Sequence, residues 1–493
     1  MGIGTLELLG DERRRWRAGK AGAALLSFFF ALCGAAWGGP APDTIRAGEV
    51  IESVPCKRFP GNSYALYLPS AYTPQKKWPV VYAFDPGAEG DYPVSRYHEV
   101  AEKYGYILAG SNNSQNFLGA SEGTAIQAML EDVEERFSLD PARIYTTGFS
   151  GGARVATLVA LRCTDSCKIA GVVADGATYP GSASPSAKDS FLYFMALGET
   201  DFNYPEVVET RLAKERLGSP YRMRLFPGPH QWAPAAVFEE AVEWFQLRAM
   251  RAGAIPKDEA FIAEQRKRAL AEAGQAEATH EALRAFFAYK SLAEDFQGLV
   301  DVADAQAKLE SLKRSPELKK ALDKERADVE LQRQLEGDAA ANVARFSENP
   351  AGFDPDLRSS ILTMMQTLKR NGQSAKDEGR KRVYLRAESS LFAQLVEEGQ
   401  RRKMAGKFSE ALPFFELLAE ASPERAWPPL LIAETRVAMG DHKRALKALR
   451  QAANTGHIDA QLLEKDHDLA PLFSDAGFQQ IVAELKKQPA KAQ

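Results

Sequence analysis

Arg143-Ile144-Tyr145-Thr146-Thr147-Gly148-Phe149-Ser150-Gly151-Gly152-Ala153-Arg154 is the stretch whose reading decides the fold. Its opening residues are rich in β-branched and aromatic side chains and short enough for a strand. From Ala153 to Leu161 helix formers follow, with apolar residues on one face. Between the two stands Gly148-Phe149-Ser150-Gly151-Gly152, a G-x-S-x-G pattern at a strand-to-helix junction. A serine in so tight a turn holds its hydroxyl proud of the sheet, and glycines are needed beside it because side chains would collide with neighbouring backbone. The pattern makes Ser150 a candidate nucleophile.

Outward from this turn the chain alternates strand and helix. Strands are expected at 64–68, 80–84, 107–110, 143–147, 169–174, 191–196 and 222–226, with helices between them, for example at 121–137 and 205–217. Several of these strands are almost wholly apolar, as in a parallel sheet covered on both faces. The expected fold is therefore an α/β doubly wound parallel sheet over residues 45–250.

A serine hydroxyl needs a base to take its proton. The chain holds six histidines, four of them beyond residue 256. His98 falls in an expected helix and reads as a packing residue. His230 follows the last expected strand in Pro227-Gly228-Pro229-His230-Gln231-Trp232, at the carboxyl end of the sheet where a doubly wound fold collects its reactive groups. Asp201, in Gly198-Glu199-Thr200-Asp201, is the expected orienting acid and gives the chain order Ser, Asp, His. Asp175 and Glu199 stand as alternatives. The tetrahedral oxyanion requires two donors: the backbone N–H of Gly151 and one from the loop Asp85-Pro86-Gly87-Ala88, where Pro86 has no N–H and Gly87 or Ala88 must donate. The amide-rich loop Ser111-Asn112-Asn113-Ser114-Gln115-Asn116 reads equally as substrate lining or as a polar turn. Phe202, Tyr204 and Trp232 read as an apolar pocket or as packing. No feature calls for a metal or organic cofactor.

With 493 residues the chain is too long for one ordinary core, and 62 Lys+Arg against 66 Asp+Glu offer no basic surface for nucleic acid. Residues 1–38 carry Arg13, Arg14, Arg15, Arg17 and Lys20 before an uncharged run to Gly39, the pattern of an export signal ending in small residues. Periplasmic or secreted localisation is expected, with an uncleaved membrane anchor as the alternative. In an oxidising compartment Cys163 and Cys167 can close a small-loop disulfide, which requires the helix after Ser150 to end near Arg162.

Residues 256–345 are dominated by Ala, Glu, Lys, Leu and Arg, with no glycine between Gly298 and Gly337, and read as several helices. Pro350, Gly352 and Pro355 mark a loop. In 385–490, Gly406-Lys407-Phe408 with Ala411 and Phe415 recurs 34 residues later as Gly440-Asp441-His442 with Ala445 and Leu449. That period, with Gly399 and Pro423 in fitting places, resembles the tetratricopeptide repeat, although His442 and His457 stand where an aromatic residue and a proline are usual.

Residues 60–250 resemble the α/β-hydrolase superfamily, nearest to polyhydroxybutyrate-depolymerase-like esterases and the carboxylesterase/dienelactone hydrolase group. Gly148-Phe149-Ser150-Gly151-Gly152-Ala153-Arg154 carries the resemblance, supported by Gly198-Glu199-Thr200-Asp201 and Gly228-Pro229-His230. It implies Ser150 as nucleophile, His230 as acid/base and Asp201 as orienting acid. Many relatives have a His-Gly pair where this chain has Asp85-Pro86-Gly87. No insertion between strands is large enough for a lid, which suits a polymeric or bulky ester. The expected function is that of an exported serine hydrolase acting on small-molecule or polymeric esters. Two alternatives are an envelope scaffold binding a protein partner through its repeats, and an amide or peptide hydrolase using the same residues.

Overall fold

The computed structural model describes residues 45–116, 121–163, 168–350, 352, 354–456, 458 and 460–487. The expected export signal, Cys167 and His457 lie outside these residues. The chain divides into two compact units, Met1–Ala174 and Asp175–Gln493, a division that falls inside the expected 45–250 segment.

Six strands belong to the first unit: β1 Val50–Pro55, β2 Ser63–Tyr67, β3 Trp78–Phe84, β4 Ile107–Ser111, β5 Leu139–Phe149 and β6 Gly171–Asp175, whose last residue opens the second unit. They lie in the order β1-β2-β4-β3-β5-β6. β2 runs antiparallel to both β1 and β4, and β3 runs parallel to β4 and β5. Every residue of β3 is buried, as its unbroken apolar sequence requires. The helices are α1 Asp91–Tyr104, α2 Ser121–Arg136 and α3 Gly151–Arg162. Cys163 caps α3, so the helix ends where the disulfide reading requires, and Cys163 is disulfide-bonded. β1 escaped the sequence reading. Its Glu52 and Ser53 break the apolar alternation, and pairing with β2, through a register shift between Ile51 and Val54, is what extends it.

In the second unit β7 Leu192–Gly198 and β8 Tyr221–Phe226 pair in parallel, ending level at Gly198 and Phe226. α4 Tyr204–Leu217 follows β7 and α5 Ala235–Arg251 follows β8. Helices then run on: α6 Glu259–Ala278, α7 Ala282–Asp295, α8 Ala303–Lys313 and α9 Pro316–Glu348. The 33-residue α9 occupies most of the glycine-free stretch, with Ser315 accepting from Leu318 N–H at its start and Pro316 in its first turn. The expected loop falls where α9 ends, and Asp354 caps α10 Pro355–Ser374.

Beyond it come α11 Glu378–Met404, α12 Phe408–Ala421, α13 Trp427–Ala438 and α14 His442–Asn454. Gly406 (φ 72°) joins α11 to α12 and Gly440 (φ 75°) joins α13 to α14, a left-handed backbone that glycine adopts without strain. Ala411, Phe415, Ala445 and Leu449 are all fully buried. The 34-residue recurrence therefore marks two helical hairpins with equivalent turns and equivalent core positions. α15 Ala460–Lys465 and α16 Ala476–Leu485 end the unit. No helix among the described residues is long and apolar enough to cross a membrane.

Buried carboxylates make this helical region sensitive to pH, and Glu336 is one of them. Burial pushes Glu336, on α9, up to about 7, against a hydrogen bond from Gln332 Nε2 (2.7 Å) and the charges of Arg333 and Arg386. The folded value lies above the ordinary 4.5 of a free glutamate, so the associated stability is present at low pH and is lost as pH rises through about 7. Glu336→Gln is expected to raise the urea midpoint near pH 8 and to leave it unchanged near pH 4. An equal gain at both would contradict this origin.

Candidate active site

β5 passes into α3 through Ser150, whose backbone sits at φ 52°, ψ −118°. Among the described residues the non-glycine residues at positive φ are Ala88, Ser150 and His280. Holding a serine there costs on the order of 1–3 kcal/mol, which the surroundings must supply. They do so through close backbone approach. A β-carbon on Gly152 would lie 1.9 Å from Phe84 O, and one on Gly148 would lie 2.2 Å from Gly152 O. Ser150 O accepts from Ala153 N–H (3.1 Å) and Arg154 N–H (3.3 Å), closing the first turn of α3.

In the second unit the loops after β7 and β8 are locked together. Glu199 N–H donates to Phe226 O (2.9 Å), and Thr200 donates to Gly228 O through both its N–H and its hydroxyl (3.0 Å each). A side chain on Gly198 would strike Pro229 O at 2.1 Å, so only glycine lets the loops come this close. The result is a hydrogen bond of 2.8 Å between His230 Nδ1 and Asp201 Oδ2. Asp201 is fully buried and its other oxygen accepts from Asn203 N–H (2.8 Å). A buried carboxylate accepts only, so Nδ1 carries the proton and Nε2 is left as the basic nitrogen. The Phe202 ring lies 4.4 Å from the His230 ring, centroid to centroid.

The alternatives to Asp201 have other partners. Asp175 is buried and accepts from Ala233 N–H, fixing the chain just beyond His230. Glu199 is part-exposed and pairs with Arg382 (3.0 Å). His98 contacts Ser95 O and the Tyr67 ring, as a packing residue would. Tyr204 and Trp232 are buried, and Tyr204 donates to Glu325 Oε1 (3.0 Å) on α9.

The loop expected to supply the second oxyanion donor is hydrogen-bonded to itself. The Gly87 N–H, expected as the second donor, is taken by Asp85 Oδ1 at 2.7 Å, and the Ala88 N–H points to Asp85 O at 3.3 Å. A carboxylate two residues away is the stronger acceptor, so this loop closes on itself. The amide-rich loop divides in two. Asn112 and Asn113 fasten β2 and the segment before it, through Ser63 and Gly61. Asn116 instead reaches the candidate site: its N–H donates to Pro86 O (2.9 Å) and its carboxamide lies against Gly151, Oδ1 being 1.8 Å from where a β-carbon would sit.

Sequence reasoning missed two residues from the helical region that reach the Asp201 loop. Gln332 on α9 donates to Phe202 O (2.8 Å), and Arg386 on α11 donates to Glu199 O (2.8 Å). No local motif marks either one.

Mostly parallel strands flanked by helices, with a serine at the strand-to-helix turn, fit an α/β-hydrolase fold. No protein-family model and no curated protein matches the chain. Solved structures do. Fluorophosphonate-binding serine hydrolase F of Staphylococcus aureus, FphF, is 18% identical over 37% of this chain and 92% of its own, with a TM-score of 0.31. The S-formylglutathione hydrolase FrmB from Staphylococcus aureus is 16% identical over 37% and 90%, TM-score 0.31. A feruloyl esterase module from Clostridium thermocellum complexed with sinapinate is 20% identical over 43% and 94%, TM-score 0.32.

The His230–Asp201 bond is open to direct observation. In protein labelled with ¹⁵N-histidine, the His230 Nδ1-bound proton is expected to resonate far downfield and exchange slowly. Asp201→Asn should remove that signal and Glu199→Gln should leave it. A signal that survives Asp201→Asn would show that another group holds the ring.

Proposed function

We propose that the protein is an exported serine hydrolase that cleaves carboxylic esters, with Ser150 as nucleophile, His230 as general base and then acid, and Asp201 as the orienting carboxylate. The observation that carries this reading is the backbone of Ser150, a non-glycine residue kept at φ 52° between a strand and a helix. A serine without a catalytic role gains nothing from that strain. The bond from His230 Nδ1 to Asp201 supports the assignment of the base, because it leaves Nε2 free of the proton.

In this mechanism His230 Nε2 takes the Ser150 hydroxyl proton as Oγ attacks the ester carbonyl. The tetrahedral oxyanion accepts from the Gly151 N–H at the first turn of α3, where the helix leaves its amides unsatisfied. Gly87 N–H can serve as the second donor once the Asp85 carboxylate turns away from it. Collapse expels the alcohol, which receives the proton from the imidazolium and leaves an acyl-enzyme. Water, deprotonated by the same imidazole, then releases the acid and restores Ser150. Asp201 holds the ring through Nδ1 and stabilises the imidazolium.

Solved structures named as esterases and serine hydrolases are in keeping with ester cleavage. The two hairpins of α11–α14, at a 34-residue period, suit a tetratricopeptide-like region.

A panel of aryl esters graded by acyl size, assayed beside aminoacyl amides, tests the proposal. Turnover of esters above amides is expected. Ser150→Ala should abolish it, and His230→Ala should reduce kcat by about 10⁴-fold or more. Ester turnover undiminished in folded Ser150→Ala would contradict the assignment.

A further inference from the structure

The loop that presents Asp201 is gripped on several sides by helices far along the chain. Gln332 on α9 is fully buried and donates from Nε2 to Phe202 O (2.8 Å). Arg386 on α11 is 5% exposed; it donates from Nε to Glu199 O (2.8 Å), and its guanidinium carbon lies 3.5 Å from the centre of the Tyr204 ring. One turn earlier on α11, Arg382 pairs with the Glu199 carboxylate (3.0 Å). Glu325 on α9 accepts from the Tyr204 hydroxyl (3.0 Å) and from Arg211. Residues 199, 202 and 204, on both sides of Asp201, are thus each fixed by α9 or α11.

Burying a guanidinium and a carboxamide is costly unless their hydrogen bonds are directional and well made. Here the groups they satisfy are backbone carbonyls of a loop, and such a loop would otherwise be bonded to water and mobile. Phe202 links this grip to the histidine, since its carbonyl is held by Gln332 while its ring lies against His230. Arg386 also faces the negative charge of Asp201. Burial pulls its guanidinium down to about 10, and the charges of Asp201 and Glu199 act against that pull.

We propose that Gln332 and Arg386 are positioning residues for the Asp201–His230 pair, so that the helical region is a working part of the catalytic apparatus and not a separable partner-binding appendage. The proposal rests on the hydrolase reading above. The geometry predicts that releasing either carbonyl lets the Asp201 loop shift, and a displacement of about 1 Å at a catalytic group costs on the order of 100-fold in rate.

The test uses the full chain. Gln332→Leu and Arg386→Ala are expected to lower kcat on an aryl ester by about 10- to 100-fold while KM changes less than about twofold. Arg386→Lys, whose ammonium can reach Glu199 O, should recover part of the loss. Lys369→Ala, which removes an exposed ion pair with Glu424 in the same region, should leave kcat unchanged. Circular dichroism establishes that each variant is folded; if Gln332→Leu is not, Gln332→Met, which is close in size and has no donor for Phe202 O, takes its place, and Arg386→Met does so for Arg386→Ala. The downfield His230 Nδ1 proton supplies a readout apart from activity, and should broaden or vanish in the variants with Asp201 intact. Folded variants with wild-type kcat and an unchanged resonance would overturn the proposal. Wild-type protein without ester turnover, whose resonance is nonetheless lost in Gln332→Leu, would overturn the hydrolase reading and leave the positioning role standing.

Discussion

Ser150 can hold its backbone at φ 52°, ψ −118° only because the chain around it is pressed too closely for side chains. Gly152 lies against Phe84 O at the end of β3, and Gly148 lies against Gly152 O across the turn. The parallel pairing of β3 with β5 sets this distance, with Phe84 opposite Gly148 in register. An unbroken apolar strand buried on both faces thus fixes one carbonyl, and that carbonyl fixes a turn about 1–3 kcal/mol above relaxed backbone. The strain belongs to the whole first unit rather than to the pentapeptide.

A different constraint governs the second unit, where the loops after β7 and β8 are joined by backbone hydrogen bonds before any side chain contributes. Gly198 against Pro229 O and Thr200 on Gly228 O bring Asp201 and His230 to 2.8 Å. Loops at the ends of strands are ordinarily the mobile part of a domain. Here α9 and α11 satisfy the carbonyls that the loop leaves over, with side chains that are themselves buried.

Much of this was legible in the sequence. The strand-to-helix turn was readable because glycine and serine at fixed offsets have few other uses, and Asp201 and His230 were readable because each follows a strand end. β1 was not, since Glu52 and Ser53 give no strand pattern and pairing alone extends them. The oxyanion loop was legible only in part: that Pro86 cannot donate is visible in the sequence, but that the Asp85 side chain accepts from the Gly87 N–H is a matter of rotamer. Gln332 and Arg386 lie 130 and 187 positions from the carbonyls they bind, on segments that the sequence marks only as helical. Their role comes from tertiary placement, which no local pattern encodes.

Ester cleavage by this protein depends on Ser150 being a nucleophile, and covalent capture tests that most directly. Full-length protein treated with a fluorophosphonate, digested with trypsin and analysed by mass spectrometry should carry one adduct, on Ser150 in the peptide of residues 144–154. An adduct on another serine, or well-folded protein that stays unmodified, would contradict the account.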